Sequence, residues 1–142
     1  MSEAKCVLMA IKPKFAQAII KGDKTIELRK TVPKIASDDL ILFYETVPVK
    51  SVSFFCRVNG IIAQEPKVLW ERYRHQLSIT KEEYDAYFLG RSMAYGINLG
   101  RPHVFVERKC IQDIDEDLVV PQSYIYVPSE ALKKVLKWEV LD

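Results

Sequence analysis

Three polar side chains in alternate positions, Thr25, Glu27 and Arg29, are the residues of this sequence best suited to bind a ligand. Ile26 and Leu28 lie between them, and this alternation is typical of a half-buried β-strand. Because side chains two apart on a strand point to the same face, a hydroxyl, a carboxylate and a guanidinium would share one surface. Such a face can bind a polar ligand, although a Glu and an Arg two apart are often only a solvated ion pair of little energetic value.

A short helix is predicted immediately before this polar strand face, over residues 13–21. Pro13 suits the first helical turn, and Phe15 and Ile19 recur at helical spacing. Gly22 supplies the left-handed residue that commonly ends a helix. The chain is therefore expected to run from helix through a tight turn into the polar strand.

Positive charge is concentrated around the same segment. The formal net charge is only +2, but residues 1–34 hold eight Lys and Arg against three acidic residues, a net of +5. A local cluster of this kind attracts phosphate groups even when the whole molecule is nearly neutral. Lys12, Lys14 and Lys24 flank the polar strand face and are the candidates for such contacts, whereas the other lysines of this segment are expected to be solvated.

Tyr44 and Lys50 form a second candidate pair. Tyr44 lies near the end of a predicted strand over residues 40–46, and Lys50 follows a turn that contains Pro48. Both side chains could face the same surface as Glu27 and Arg29. Taken alone, however, a Tyr at a strand end usually packs, and a Lys after a turn is usually solvated.

The remaining pattern predicts an α+β protein forming one domain over residues 1–142. Six or so strands are separated and followed by short helices without regular βαβ alternation, which favours a sheet organised around a barrel. Thr80 and Glu83 form the capping-box pattern of one helix, and Gly60 is expected to mark a bend in a strand. Helical spacing assigns one aromatic cluster to core packing, with base stacking as the alternative: Trp70, Tyr73, Tyr84, Tyr87 and Phe88.

The sequence resembles a known family at three places. Residues 22–29, Gly-Asp-Lys-Thr-Ile-Glu-Leu-Arg, preceded by Ile-Lys-Pro at 11–13, closely resemble the signature of the ASCH domains, a branch of the PUA-like superfamily. Residues 41–50 look like the second conserved block of that family, and residues 121–124, Pro-Gln-Ser-Tyr, look like its closing block. The resemblance implies a small, PUA-like mixed β-barrel with peripheral helices, in which the helix and the polar strand border a cleft.

The same resemblance implies a ribonuclease acting on single-stranded RNA. ASCH proteins with that activity depend on a Tyr, a Lys and a Ser, and Tyr44, Lys50 and Ser123 match these three in order and spacing. Lys50 would stabilise charge on a phosphorane-like transition state, while the two hydroxyls hold phosphate oxygens or transfer a proton, and RNA would supply its 2′-hydroxyl as nucleophile. These side-chain types do not titrate near neutrality unless burial shifts them, so modest activity or a loosely held divalent metal would fit. The implied RNA-binding residues are Lys12, Lys14, Lys24, Thr25, Glu27 and Arg29.

Two other functions are left open by the sequence. A non-catalytic module could bind RNA or a modified nucleotide, with Arg29 forked onto a phosphate and Glu27 accepting from a base amino group. A third function is that of the N4-acetylcytidine amidohydrolases, another branch of the superfamily, which the chain resembles at Lys24, Thr25 and Arg29. Those enzymes carry a nucleophilic Thr where this sequence has Glu27, and Thr25 is the nearest hydroxyl.

Several other kinds of protein are disfavoured. Cys6, Cys56 and Cys110 lie far apart in apolar runs and are expected to be buried, so the sequence predicts neither a disulfide framework nor a metal site. His75 and His103 have no partner at metal-ligand spacing. No apolar segment predicts a signal peptide or a membrane span, so we expect a cytoplasmic protein without a membrane partner. The sequence leaves the oligomeric state open.

Overall fold

The computed structural model describes residues 4–141, so residues 1–3 and 142 of the predicted domain lie outside the described range. Within that range the protein has mixed α and β structure, as predicted. The strands are β1 (Cys6–Ile11), β2 (Ile26–Arg29), β3 (Leu40–Glu45), β4 (Ser51–Gln64), β5 (Ala94–Leu99), β6 (His103–Lys109) and β7 (Tyr124–Tyr126). The α-helices are α1 (Pro13–Lys21), α2 (Pro66–Tyr73), α3 (Lys81–Tyr87) and α4 (Ser129–Val135).

All seven strands belong to one sheet in the order β2, β5, β4, β3, β1, β7, with β6 paired to β4 outside this path. Strands β1 and β3 are parallel, and the other pairs are antiparallel. In the described part of the chain β2 and β7, at the two ends of the order, do not pair. The sheet is therefore not closed by backbone hydrogen bonds, and the predicted barrel is not confirmed.

The long strand β4 gives the sheet its curvature. Its first half pairs with β3 and β6, and its second half pairs with β5 after a register shift between Val58 and Gly60, where the sequence predicts a bend. This curvature brings β2 back towards β1. Between β2 and β1 the contact is made by a side chain and not by paired backbones. Arg29 Nη2 on β2 donates a hydrogen bond of 2.7 Å to the carbonyl oxygen of Ala10 on β1.

Helix α1 forms as predicted, with Pro13 in its first turn and Gly22 as its C-cap. Gly22 has φ +90°, and its N–H donates to the carbonyl oxygen of Ile19. Ala16 and Ile19 are buried against the sheet. The tight turn after α1 leads directly into Lys24 and β2.

Helix α3 has only half of the predicted capping box. Thr80 Oγ1 accepts a hydrogen bond of 3.1 Å from the backbone N–H of Glu83. The carboxylate of Glu83 does not complete the box, because it forms an ion pair of 2.8 Å with Lys14 on α1. This pair links α3 to α1.

The aromatic cluster of α2 and α3 packs in the core, as predicted. Tyr84 and Phe88 are buried, and Trp70, Tyr73 and Tyr87 pack against them while partly exposed. The Tyr84 hydroxyl donates a hydrogen bond of 2.6 Å to the carbonyl oxygen of Pro66. Burial raises the pKa of Tyr84 to about 12.

Two of the three cysteines are buried, and the prediction for the third is wrong. Burial raises the pKa of Cys6 and of Cys56 to about 12. Cys110 is exposed because β6 ends at Lys109, so Cys110 begins a short 3₁₀ turn instead of continuing the apolar strand.

Glu45, at the end of β3, is a buried carboxylate that none of the sequence arguments considered. Ser53 Oγ donates a hydrogen bond of 2.6 Å to Glu45 Oε2. Glu45 Oε1 and the hydroxyl of Ser51, the residue opposite Glu45 on β4, are buried without a partner among the described residues. The carboxylate therefore depends on Ser53.

Replacing Ser53 should destabilise the protein more than replacing its neighbour. Ser53→Ala removes the donor to a buried carboxylate, and we expect the free energy of unfolding to fall by about 2 kcal/mol. Ser51→Ala, on the same strand, removes a hydroxyl without a partner and should change it by less than about 0.5 kcal/mol. Urea denaturation of both variants measures the difference. Equal losses would contradict this account of Glu45.

Candidate functional site

A cleft of about 410 Å³ lies between the N-terminal end of α1, strand β2 and helix α3, and we call it the cleft from here on. Its volume is in the range of small-molecule sites. The sequence predicts a cleft bordered by α1 and the polar strand, and these two elements do form two of its walls. The lining residues are Ala10, Ile11, Lys12, Phe15, Lys24, Glu27, Leu28, Arg29, Ile79, Glu83, Ala86 and Tyr87.

Glu27 is the central charged group of the cleft. It is only 6% exposed, and its Oε2 lies 2.9 Å from Nη2 and 3.1 Å from Nε of Arg29. Its Oε1 lies 3.8 Å from Nζ of Lys24. Because Oε1 has no hydrogen bond among the described residues and is not sealed from solvent, it can accept a hydrogen bond from a ligand.

Arg29 is almost fully committed to contacts within the protein. Besides Glu27, its guanidinium donates to the carbonyl oxygen of Ala10 at 2.7 Å and to Ser123 Oγ at 3.3 Å. Of the five N–H groups of a guanidinium, these contacts leave one on Nη1. Arg29 is therefore a clamp between β2, β1 and Ser123, and it is not free to grip a phosphate with two N–H groups.

Lys24 is buried at the base of the cleft, only 3% exposed. Its ammonium donates a hydrogen bond of 2.9 Å to the carbonyl oxygen of Leu77 and lies 5.1 Å from the ring centre of Phe15. Burial lowers the pKa of Lys24, and the nearby carboxylate of Glu27 acts against that effect.

Lys12 and Lys14, predicted to flank the cleft, differ in their positions. Lys12 lines the cleft and is exposed. Lys14 is not among the lining residues, and its ammonium is paired with Glu83 across the space between α1 and α3. Three cations and two carboxylates line the cleft, so its positive charge is smaller than the sequence suggests.

Thr25 does not share the cleft with Glu27 and Arg29. It lies just before β2, and its Oγ1 donates a hydrogen bond of 3.1 Å to Gln76 Oε1. It is not among the residues that line the cleft. The structure therefore gives Thr25 a structural contact with the 3₁₀ turn of Arg74–Gln76.

Tyr44 and Ser123 lie in one line across three neighbouring strands, with Ala10 between them. Tyr44 on β3 is opposite Ala10 on β1, and the N–H of Ala10 donates to the carbonyl oxygen of Ser123, which precedes β7. Residues that are opposite one another on adjacent strands point to the same face. We call Ser123, Ala10 and Tyr44 the cross-strand row; two strand spacings put its ends roughly 10 Å apart.

The cross-strand row adjoins the cleft but is not part of its lining. Of its three members only Ala10 lines the cleft, and Arg29 connects the cleft to Ser123. The expectation that Tyr44 faces the same cleft as Glu27 is therefore not met. Tyr44 is only 6% exposed and packs in the core cluster that contains Leu42 and Val52.

Lys50 lies in the exposed turn that joins β3 to β4. It has φ +52°, and its N–H lies 3.4 Å from the carbonyl oxygen of Thr46. The N–H of Thr46 in turn donates to the carbonyl oxygen of Ile11, at the end of β1. Lys50 is thus at the same end of the sheet as Tyr44 and the cleft, but it does not line the cleft.

Two aromatic walls of the cleft were not identified as such from the sequence. Phe15 was predicted only as part of the apolar face of α1, and Tyr87 was predicted to pack in the core, with base stacking as the alternative. Both are partly exposed and line the cleft. Burial raises the pKa of the Tyr87 phenol, although the positive charge of Arg29 acts in the opposite direction. What distinguishes these two side chains from core residues is their partial exposure, and a single sequence does not encode it.

Two further observations concern metal sites and membrane spans. Within residues 4–141 no three His, Cys, Asp or Glu side chains lie together where they could hold a metal ion. Over the same residues, every helix is too short or too polar to cross a membrane.

Comparison with known proteins identifies a family for this chain. Residues 9–100, more than half of the chain, match the model of the ASCH domain. An "ASCH domain-containing ribonuclease" of Zymomonas mobilis subsp. mobilis is 29% identical over 136 residues, which are 94% of this chain and 92% of that protein.

Solved structures give the same result. The crystal structure of ASCH from Zymomonas mobilis superposes with a TM-score of 0.87 at 27% identity, covering 99% of this chain and all of that one. A variant of that protein with Tyr replaced by Phe gives a TM-score of 0.85 at 28% identity, over 95% of this chain and 99% of that one. A variant with Ser replaced by Ala gives a TM-score of 0.84 at 28% identity, over 96% of this chain and 97% of that one. Because the family model matches more than half of the chain and the fold agrees with a solved ASCH structure, the chain belongs to the ASCH domain family.

Proposed function

We propose that this protein binds single-stranded RNA and cleaves it at the cross-strand row, with Tyr44, Lys50 and Ser123 as the catalytic residues. The similar Zymomonas protein is named a ribonuclease, which supports the reaction class. The variants made of that protein changed a Tyr and a Ser, the two residue types at the ends of the row. RNA is then the partner.

The observation that carries this proposal is the geometry of the row. Tyr44 and Ser123 are held at fixed positions on β3 and beside β7, and between them Ala10 leaves only a methyl group. A small residue between two hydroxyl groups leaves space for a phosphate. Arg29 fixes the Ser123 hydroxyl from the cleft side at 3.3 Å. Although Tyr44 is only 6% exposed, its hydroxyl has no hydrogen-bond partner among the described residues and is not fully enclosed, so it could donate to a phosphate oxygen at the surface.

The proposed reaction uses the nucleophile of RNA itself. The 2′-hydroxyl oxygen bonds to the adjacent phosphorus while the bond to the 5′-oxygen breaks, which leaves a 2′,3′-cyclic phosphate and a 5′-hydroxyl. The proton lost by the 2′-hydroxyl balances the one gained by the leaving oxygen, and Tyr44 and Ser123 are positioned to transfer or orient it. Lys50, on the turn at the same end of the sheet, would stabilise the negative charge of the transition state.

The cleft would bind the base of the neighbouring nucleotide. Phe15 and Tyr87 offer aromatic walls for stacking, and Glu27 Oε1 can accept from a base amino group. Lys12 and Lys24 add positive charge to the lining. The described residues contain no group of three side chains that could hold a metal ion. A divalent metal would therefore be held by RNA phosphate together with the Glu27 carboxylate.

A non-catalytic RNA-binding module is the second candidate, and one observation favours it. The aromatic walls and the free carboxylate oxygen form a binding site that does not need the cross-strand row. The amidohydrolase function has no such support, because Thr25 does not line the cleft and its hydroxyl is bound to Gln76.

Substitution of the three catalytic candidates should separate cleavage from binding. We expect Tyr44→Phe and Lys50→Ala to reduce cleavage of labelled single-stranded RNA at least about 100-fold, and Ser123→Ala at least about 10-fold, because each removes a group that acts in the transition state. RNA affinity should change less than about threefold. The assay is run with and without divalent metal, and a 2′-O-methyl RNA should not be cut.

Matched variants provide the controls for these substitutions. Tyr73→Phe, Lys67→Ala and Ser129→Ala make the same chemical changes on α2 and α4, and they should leave the rate unchanged. Tight RNA binding by a wild-type protein that cuts nothing would favour the binding module. Cleavage that survives both Tyr44→Phe and Lys50→Ala would exclude this catalytic site.

Arg29→Lys tests the connection between the cleft and the row. Lysine keeps the charge but cannot contact Glu27, Ala10 and Ser123 at the same time. We expect kcat to fall about tenfold or more and the free energy of unfolding to fall by about 2 kcal/mol. Arg72→Lys on α2 is the control. A variant with both wild-type kcat and wild-type stability would show that the clamp is dispensable.

A further inference from the structure

We infer that a second hollow, next to the cleft, binds a phosphodiester of the RNA strand and makes the protein a binder of oligonucleotides instead of single nucleotides. This inference rests on the proposed RNA-binding function. The hollow has a volume of about 450 Å³. We call it the basic hollow, and its lining residues are Lys30, Thr31, Val32, Gly90, Arg91, Ser92, Met93 and Tyr95.

The basic hollow contains positive charge that is not neutralised. Lys30 and Arg91 line it, and no acidic residue does. Neither cation has a carboxylate within ion-pair distance in the described part of the chain. The hydroxyl groups of Thr31 and Ser92 add hydrogen-bond donors. Unpaired cations beside hydroxyl groups are the chemistry that selects a phosphate.

The neighbouring cleft lacks this property, although it has more cations. There Lys24 and Arg29 both lie beside Glu27, and Lys14, near the mouth, is paired with Glu83. Arg29 has one N–H left after its contacts within the protein. A phosphate would meet two carboxylates in the cleft and none in the basic hollow. The phosphate contact that the sequence predicts for Arg29 is therefore assigned to Lys30 and Arg91.

The two hollows are close enough to serve one RNA strand. Arg29 lines the cleft and the next residue, Lys30, lines the basic hollow. Tyr87 lines the cleft while the ammonium of Lys30 lies 4.8 Å from its ring centre, so Tyr87 is the wall between the two. Arg91 is fixed near the same wall, because its Nη2 donates a hydrogen bond of 3.1 Å to the carbonyl oxygen of Lys30. A base stacked in the cleft would therefore place an adjacent phosphate near Lys30 and Arg91.

The phosphate could be an internal phosphodiester or a terminal monophosphate, since both present negatively charged non-bridging oxygens. We assign it to an internal phosphodiester, because the basic hollow adjoins the cleft on one side while the cross-strand row adjoins it on another. A strand with its base in the cleft would pass both. An oligonucleotide with a 5′-hydroxyl and one with a 5′-phosphate distinguish the two sources.

The test compares two double variants of equal charge. Lys30→Gln/Arg91→Gln removes both cations of the hollow, whereas Lys134→Gln/Lys137→Gln removes two exposed cations at and just beyond the end of α4. Binding of a non-cleavable 2′-O-methyl RNA 10-mer, with either 5′ end, is measured at several salt concentrations, beside binding of the free nucleoside. For single strands, each phosphate contact contributes about 0.7 to the steepness with which log affinity falls as log salt concentration rises. Relative to 1 M salt, one contact therefore increases the affinity about tenfold at 50 mM salt.

We expect the hollow variant to bind both 10-mers at least about tenfold more weakly at 50 mM salt, with a slope reduced by about 0.7 or more, and to bind the nucleoside as the wild type does. Equal effects of the two variants, or no effect of either, would overturn the inference while leaving the ribonuclease proposal intact. A loss limited to the 5′-phosphorylated 10-mer would overturn the assignment to an internal phosphodiester. If the wild type binds the 10-mers but cuts no RNA, and the hollow variant loses that binding, the basic hollow is upheld and the ribonuclease proposal is refuted. A wild type that binds no 10-mer would refute both.

Discussion

The side chain of Arg29 is the constraint on which the rest of the site depends. It leaves β2, contacts the Glu27 carboxylate, and donates to the Ala10 carbonyl on β1 and to the Ser123 hydroxyl beside β7. The sheet does not close through backbone pairing between its end strands, so this side chain joins elements that the described ladder leaves apart. Glu27 is needed to hold Arg29 in that orientation, because a guanidinium that is only 11% exposed requires an opposite charge. The cleft and the cross-strand row are thereby held in a fixed relation.

This arrangement separates three tasks that a sequence places on the same few residues. Glu27, Arg29 and Lys24 mainly balance one another, and what they leave for a ligand is one carboxylate oxygen and one N–H group. In the proposed function, stacking would involve Phe15 and Tyr87, and phosphate binding would involve Lys30 and Arg91 beside them. In the proposed function, cleavage would take place at the cross-strand row, of whose three members only Ala10 lines the cleft. A cationic cleft could bind phosphate tightly in many orientations, whereas this partly neutral cleft favours a base.

The α+β class and the helix of the signature segment could be predicted because they depend on local chemistry, whereas the barrel, which the family resemblance implied, is not confirmed because β2 and β7 do not pair in the described part of the chain. The helix of residues 13–21 forms as its Pro13 and Gly22 indicate, and β4 has a register shift at Gly60, where a bulge or bend was expected. The errors have long-range causes. Glu83 has the spacing of a capping residue, but Lys14, 69 positions earlier, takes its carboxylate. The alternation that groups Thr25 with Glu27 ends before β2 begins, where Gln76 binds the hydroxyl. Lys30 and Arg91 carry no local signal, because they meet only when the curved sheet brings their loops together.

A crystal structure of the Tyr44→Phe variant with a 2′-O-methyl RNA would test the central claim most directly, namely that Arg29 stays bound to Glu27 and Ser123 while RNA spans the cleft and the row. The account predicts a base between Phe15 and Tyr87 and a phosphate beside Ser123, with the contacts of Arg29 unchanged. It would be contradicted by an Arg29 that leaves Glu27 to bind the phosphate, or by RNA that lies on another face of the protein.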